Sequence, residues 1–355
     1  MDVSRRCRGM RDLLPPQMRR YRRIEEAFRG VCQGWGYAEV RTPTIEQLHL
    51  FTSAGTLSPQ ALGRVYSFLD WDGWSGERVV LRPDSTIPMA RLYVESMGEE
   101  RWAKLFYTQN VFRFAQGDES REDRQCGVEL IGDTQPEGDV ELVLMGCEAL
   151  RRLGLEPTLR LSNPGILRTV LARAGFEAGE RLSVYDRILD GDFSALDEIQ
   201  QRLPEAGVSL RALLASAGEG PPYLNNLRSA LLPTVPEMEK PLDDLMAVAT
   251  VLAETGFSPR LTPALARDFE YYTGPVFQFL VGEQVVGRGG RYDALISLVG
   301  GLAMPASGFA LDVDLLMELL PDDERESLPS VAIRPAAGGP GDLAATFRLA
   351  SALRA

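Results

Sequence analysis

Two apolar, β-rich runs, residues 105–112 (LFYTQNVF) and 125–131 (QCGVELI), are separated only by the polar stretch 113–124, RFAQGDESREDR. That stretch has no helical apolar period, and parallel strands need a crossover, usually a helix, to join them. The two runs therefore pair as an antiparallel hairpin with a long charged tip, and the sheet around them must be antiparallel. Upstream, Tyr21, Ile24, Ala27, Phe28 and Val31 recur at spacings of three and four. They mark one face of a helix over residues 19–33 that Gly34 and Gly36 end. A short extended run over 37–41 stops at Pro43, a Gly/Ser/Pro loop fills 53–63, and strand-like segments lie at 65–69 and 79–81. Residues 85–97 and 139–152 read as helices.

From about residue 159 to 260 the pattern changes to short helical pieces broken by SAGEGPP and PTVPEMEKP. We read residues 160–260 as a helical insertion between two parts of one sheet domain. After it come strands over 270–281 and 284–288, a turn in GRGGRYD, a helix near 294–299, and a strand passing into a helix over 308–320. Strand runs followed by helices, without regular β-α-β alternation, give the α+β class: an antiparallel sheet flanked by helices. A chain of 355 residues has room for roughly two domains. Residues 321–355 hold one strand (SVAIRP), a loop and a helix, too little for an independent core. The expectation is one domain over 1–320 with a short C-terminal extension.

Charge and composition remove several function classes. The formal net charge is −12, which gives no general electrostatic reason to hold nucleic acid. Cys7, Cys32, Cys126 and Cys147 form no CxxC pair and His49 is the only histidine, so a Cys/His zinc site lacks material. The cysteines read as reduced, mostly buried thiols of a cytosolic protein. No uncharged apolar run approaches the roughly 18 residues of a membrane span, and the basic N-terminus lacks a signal-peptide apolar stretch. Histidine-based nucleophilic catalysis would have to use His49, which has no nucleophile motif near it.

Four segments can carry chemistry. LRPDSTIPMAR sets Asp84 and Thr86 at a strand-to-helix junction, where they can hold a ligand ammonium or simply cap the helix. In the hairpin, Arg113 leaves one strand while Gln125 and Glu129, four apart, face the same side of the other. They can converge on one cavity or form a solvated, salt-bridged face. LARDFEYYTGPVFQF brings Arg267, Tyr271 and Tyr272 to the start of a strand, suited to an anion and a polar ring, or to packing alone. VGRGGRYDALISLVGG has glycines that allow close backbone approach to a ligand, or a Gly-rich hairpin turn.

The order RGMRDLLPP, VRTPTIE, LRPDST, FR…R…QCGVELIG, R…EYYTGPVF and GGRYD…VGG…P.SGFA resembles the catalytic domain of the histidyl-tRNA synthetases, a class II aminoacyl-tRNA synthetase fold. The resemblance runs from about Arg8 to Leu320 and is weakest in the helical insertion. LRPDST and QCGVELIG look most like the family's non-catalytic branch, the regulatory subunits of short-form ATP phosphoribosyltransferase. The resemblance implies a histidine-like pocket from Asp84, Thr86, Arg113, Gln125, Glu129, Arg267, Tyr271 and Tyr272. Asp84 would take the α-ammonium, and a carboxylate with a Tyr hydroxyl would take an imidazole. It also implies a homodimer through the motif-one segment 40–43, with Pro43 at the two-fold axis.

The departures from the family pattern fall on the ATP side. Adenylate formation needs positive groups on the phosphates. Arg113 matches the motif-two arginine, but Ala115 stands where the family has a glutamate. In motif three, Leu315 stands where the second arginine belongs and Asp312 replaces a glycine. Asp268 also stands where a glycine is usual beside Arg267. Loss of the motif-three arginine alone should cost on the order of a hundredfold or more in rate. The resemblance therefore implies a cytoplasmic regulatory subunit without catalytic residues, cofactor or metal. Its partners would be a short-form ATP phosphoribosyltransferase catalytic subunit, a second copy of itself and histidine, with no nucleic acid or membrane. About 35 residues follow Leu320, against the roughly one hundred that the family's anticodon-reading domain would take; no such domain is expected. The alternatives are an active histidyl-tRNA synthetase or other adenylating ligase, and a scaffold with a degenerate pocket.

Overall fold

Helix α1 (Pro15–Gly34) turns Ile24, Phe28, Val31 and Cys32 into the core. It begins before its apolar spacing does, because Pro15 and Pro16 fall in the first turn, where the N–H groups have no intrahelical acceptor. Past Gly36, at φ 80°, come β1 (Ala38–Glu39), β2 (Ile45–Gln47) and α2 (Leu48–Ser53). β3 (Ser67–Trp71) and β4 (Gly76–Leu81) join β2 in a small antiparallel sheet of order β2-β4-β3. α3 (Thr86–Ser96) leads into the hairpin, β5 (Ala103–Phe112) and β6 (Glu122–Ile131), which pairs Leu105 with Glu129 and Gln109 with Gln125. This computed structural model describes residues 6–53, 62–71, 76–98, 100–117, 119–132, 136–192, 194–215, 218–262, 272–321 and 340–353.

α4 (Glu137–Arg152) and β7 (Pro157–Ser162) precede a run of helices: α5 (Pro164–Arg173), α6 (Ala178–Leu189), α7 (Ser194–Arg202) and α8 (Pro204–Ala215). After β8 (Gly218–Glu219) come α9 (Gly220–Leu231), α10 (Glu239–Glu254) and β9 (Arg260–Leu261). The chain then returns to the sheet through β10 (Val276–Val281), β11 (Gln284–Arg291), α11 (Leu295–Leu298), β12 (Ala306–Asp312) and α12 (Val313–Leu319). The result is a nine-stranded sheet, order β1-β5-β6-β12-β11-β10-β7-β9-β8. Only β1·β5 and β7·β9 run parallel. Residues 321–355 form a second compact unit, in which α13 (Pro340–Ala352) is helical. The expected strand SVAIRP lies outside the described residues. No described helix is long and apolar enough to cross a membrane.

The expected turn in GRGGRYD is a correction. Residues 287–291 run straight through β11, and the hairpin turn is Gly282–Glu283, with Gly282 at φ 59°. The glycines are there for packing. A Cβ on Gly289 would lie 2.6 Å from Phe277 and one on Gly287 3.0 Å from Phe279. Phe277, Phe279 and Phe309 stack edge to face on that side, with Phe279–Phe309 centroids 5.4 Å apart. The strand expected over 270–281 begins only at Val276, after Pro275, which has no N–H to give a ladder.

One buried ion pair ties this sheet to its helices. Arg291 on β11 donates to Asp139 on α4, and Ser307 Oγ on β12 donates to the other Asp139 oxygen at 2.9 Å. Asp244 on α10 lies 3.5 Å from the same guanidinium. Arg291 and Asp139 are 2% and 0% exposed, so losing either partner strands a charge in the core. Asp139→Asn should therefore cost about 3–5 kcal/mol. Urea denaturation checks this, and a change below about 1 kcal/mol would contradict the packing account.

Candidate functional site

The two faces of the nine-stranded sheet differ. Phe106, Val128, Phe309, Phe277 and Leu161 face the main core beneath α1 and α4. The opposite face carries Glu129 on β6, with Gly308 and Gly290 beside it on β12 and β11. Glu129 is 2% exposed. Tyr292 donates to its Oε2, while Oε1 has no hydrogen-bond partner among the described residues. Burial pushes the Glu129 carboxyl well above its usual range, the nearby Asp84 charge adds to this, and the Thr86 and Tyr107 hydroxyls oppose it. Burial likewise raises the Tyr107 phenol, reinforced by Glu129 and Asp84.

Glycine makes this cluster possible. A Cβ on Gly308 would collide with Glu129 Oε2 and the Tyr292 hydroxyl, and one on Gly127 with the Tyr107 ring. A Cβ on Gly290 would lie 2.8 Å from the Tyr272 ring. These strands give up side-chain packing so that polar groups from β5, β6 and the segment after β11 can meet.

Of the residues expected in the pocket, Asp84, Thr86 and Glu129 form one electrostatic group. Asp84 Oδ1 also accepts from Ile87 N at 2.9 Å, so it caps α3 as well. Arg113 Nε donates to Pro83 O at 2.8 Å, which binds it to the same junction, and its guanidinium pairs with Asp123 at 3.7 Å. Gln125 is half-buried on the Glu129 face, in register with Gln109 and Asp312. Tyr272 lies over Gly290. Arg267 and Tyr271 lie outside the described residues. Tyr107 and Tyr292 were not among the expected residues. Strand alternation from Leu105 and Gln109 puts Tyr107 on the Glu129 face, whereas Tyr292, just beyond a strand end, has no comparable signal. Pro43 is exposed, and the buried Arg82 holds its carbonyl at 2.8 Å and that of Thr42 at 2.9 Å.

Residues 9–316 match the histidyl-tRNA synthetase family model. An ATP phosphoribosyltransferase regulatory subunit of Dehalococcoides mccartyi strain BAV1 is 48% identical over 317 residues, covering 89% of this chain and 77% of that protein. The chain belongs to this regulatory-subunit family, within the histidyl-tRNA synthetase family. The histidine–tRNA ligase of Methanosarcina acetivorans is 33% identical over 328 residues, covering 89% of this chain and 75% of the ligase. A crystal structure from Bacillus halodurans C, described as an ATP phosphoribosyltransferase regulatory subunit/histidyl-tRNA synthetase, superposes with a TM-score of 0.77 at 26% identity. It covers 89% of this chain and 83% of that one. The α+β, synthetase-like architecture expected from the residues is thus the fold of the family.

The three positions at which this chain departs from an adenylating enzyme in our reading, Ala115, Asp312 and Leu315, all have structural roles here. Asp312 caps α12, its Oδ1 accepting from Leu315 N at 3.0 Å. Leu315 packs against the main core. Asp314 takes Arg124 Nη1 at 3.1 Å and the Arg124 N–H at 2.8 Å, and pairs with Arg11. Ala115 is buried, its carbonyl accepting from Arg121 Nε at 2.8 Å. Among the described residues, no cluster of His, Cys, Asp and Glu can hold a metal ion.

The buried Glu129 makes the folded protein titrate. Its native pKa is raised, so between the ordinary glutamate pKa and the native one the folded state binds a proton that the unfolded chain has lost. Stability contributed by this group is full at low pH and falls as pH rises through that window. Glu129→Gln should match the wild type near pH 4 and exceed it at pH 8 by about 1–3 kcal/mol, the cost of a buried polar group short of partners. Chemical denaturation across that range checks it; a wild type equally stable relative to the variant at both ends would contradict it.

Proposed function

We propose that this chain is the non-catalytic regulatory subunit of a short-form ATP phosphoribosyltransferase. It would partner a separate catalytic chain, support the first step of histidine biosynthesis and take part in histidine feedback. The observation that carries the reading is the start of α12: an apolar Leu315, half-buried against the core, and Asp312, which caps the helix. Neither can neutralise a triphosphate. The Asp312 carboxylate would repel the anion. Ala115 removes a further side-chain contact to ATP, so of the motif-two arginine and glutamate and the motif-three arginine only the first, Arg113, is kept. Purified protein with magnesium, ATP and histidine should give no pyrophosphate exchange above background. Exchange clearly above background would favour the alternative, an active histidyl-tRNA synthetase.

The pocket is a histidine site in this proposal. Glu129 and a tyrosine hydroxyl would hold the imidazole, Asp84 the α-ammonium, and Arg113, Thr86, Gln125 and Tyr272 the rest; Arg267 and Tyr271 are assigned by resemblance. What supports it is the Glu129 oxygen left without a partner in a buried site, since a buried carboxylate is costly until something donates to it. A homodimer through Pro43 fits the same reading. Arg82 fixes the backbone of that segment, and Ile45, Phe68, Leu69 and Trp71 leave apolar surface exposed on the neighbouring small sheet. Calorimetry should find histidine binding weakened about tenfold or more in Glu129→Ala, given the roughly 1.5–3 kcal/mol of a hydrogen bond to a charged group. Light scattering should find both proteins dimeric. Unchanged affinity would make the pocket a relic, and a monodisperse wild-type monomer at micromolar concentration would remove Pro43 from an interface.

A further inference from the structure

The face that carries Glu129 extends across the sheet, and its next row changes character. Read from strand to strand, the row is Tyr107 (β5), Gly127 (β6), Ala310 (β12), Arg288 (β11), Gln278 (β10), Arg160 (β7) and Arg260 (β9). The register of neighbouring strands puts all seven side chains on one side. Alternation agrees, since Gly287, Gly289, Phe277, Leu161 and Leu261 face the main core between them.

Three of the seven are arginines in a chain whose net charge is −12. Arg288 and Arg260 are exposed, and neither has an ion pair with another described residue. Arg160, 30% exposed, pairs with Glu283 at 3.7 Å, but Glu283 is itself 97% exposed and the pair is weak. Arg160 and Arg260 stand directly opposite on adjacent strands, where like charges repel. Arg288 and Arg160 flank Gln278 at about 10 Å between their Cα atoms, two strand spacings. Guanidinium forks from both sides can reach one anion lying above the amide, in bidentate contact with its oxygens. Among the described residues, the carboxylates of the sheet nearest the row, besides Glu283, are Glu129 on β6, Asp312 on β12 and Glu219 on β8. Asp312, half-buried one residue pair away on β12, is spent on its helix cap, and Glu219 on β8 is registered beside Arg260.

We propose that Arg288, Arg160 and Arg260, with Gln278, form a binding site for a diphosphate or longer polyphosphate group. It is distinct from the histidine pocket and from the motif-two and motif-three positions that adenylation would use. Charges in line at strand spacing match an anion with charge spread along its length, which a single phosphate or sulfate lacks. The site does not depend on the histidine proposal.

The test is calorimetric titration of the full-length protein with inorganic pyrophosphate, at fixed ionic strength, beside inorganic phosphate, sulfate and ATP. Pyrophosphate should bind at least about tenfold more tightly than phosphate or sulfate. Arg288→Ala and Arg260→Ala, both at exposed positions, should each weaken it severalfold to tenfold. Glu129→Gln should leave pyrophosphate binding unchanged, which separates this site from the histidine pocket. Tighter binding of ATP would assign the site to the phosphate tail of a nucleotide, and tighter binding of pyrophosphate to the free anion; either supports it. No saturable pyrophosphate binding, equal binding of sulfate, or full affinity in the Arg288→Ala/Arg260→Ala double variant would overturn it.

Discussion

Gly308 sits between Glu129 on one neighbouring strand and Gly290 on the other, and a Cβ there would run into both Glu129 Oε2 and the Tyr292 hydroxyl. The open face of the sheet depends on that steric vacancy. With any larger residue at 308, the carboxylate and the phenol could not share the space, and the polar group that Thr86 and Tyr107 complete would not assemble. The other face obeys the same constraint in reverse. Gly287 and Gly289 leave room for Phe277, Phe279 and Phe309 to stack, and Gly146 on α4 lets Phe279 press against the helix. A strand that is almost bare backbone is entropically expensive to order. Here it lets aromatic packing below and polar convergence above coexist within one strand thickness.

Glu129 is buried with a raised pKa, and Tyr292, Thr86 and Tyr107 supply its nearby donors. At the adenylation end, Asp314 takes both Arg124 and Arg11, and Asp312 caps the start of α12, so these two arginines are already paired there.

Much of this was legible in the residues. The charged hairpin, the helices at either end of the catalytic-type domain and the class II order of motifs all follow from periodicity and from segments such as LRPDST and QCGVELIG. The glycine-rich run was not. Turn chemistry and strand chemistry both use glycine, and only the aromatic rings on neighbouring strands decide between them at 287–291. Tyr292 escaped for a related reason: its partner Glu129 is 163 residues away, and no local pattern encodes a contact of that separation. The arginine row is a product of register. Arg160, Arg260 and Arg288 are scattered along the chain, and strand pairing alone brings them into line.

The central claim is that this chain works through a separate catalytic partner and has no adenylation chemistry of its own. The direct measurement is phosphoribosyl transfer to ATP by a purified short-form catalytic chain, with and without this protein added at increasing ratio. The account predicts that activity rises to saturation at a fixed stoichiometry and that added histidine then lowers it. A catalytic chain whose rate and histidine response are the same with and without this protein would contradict it.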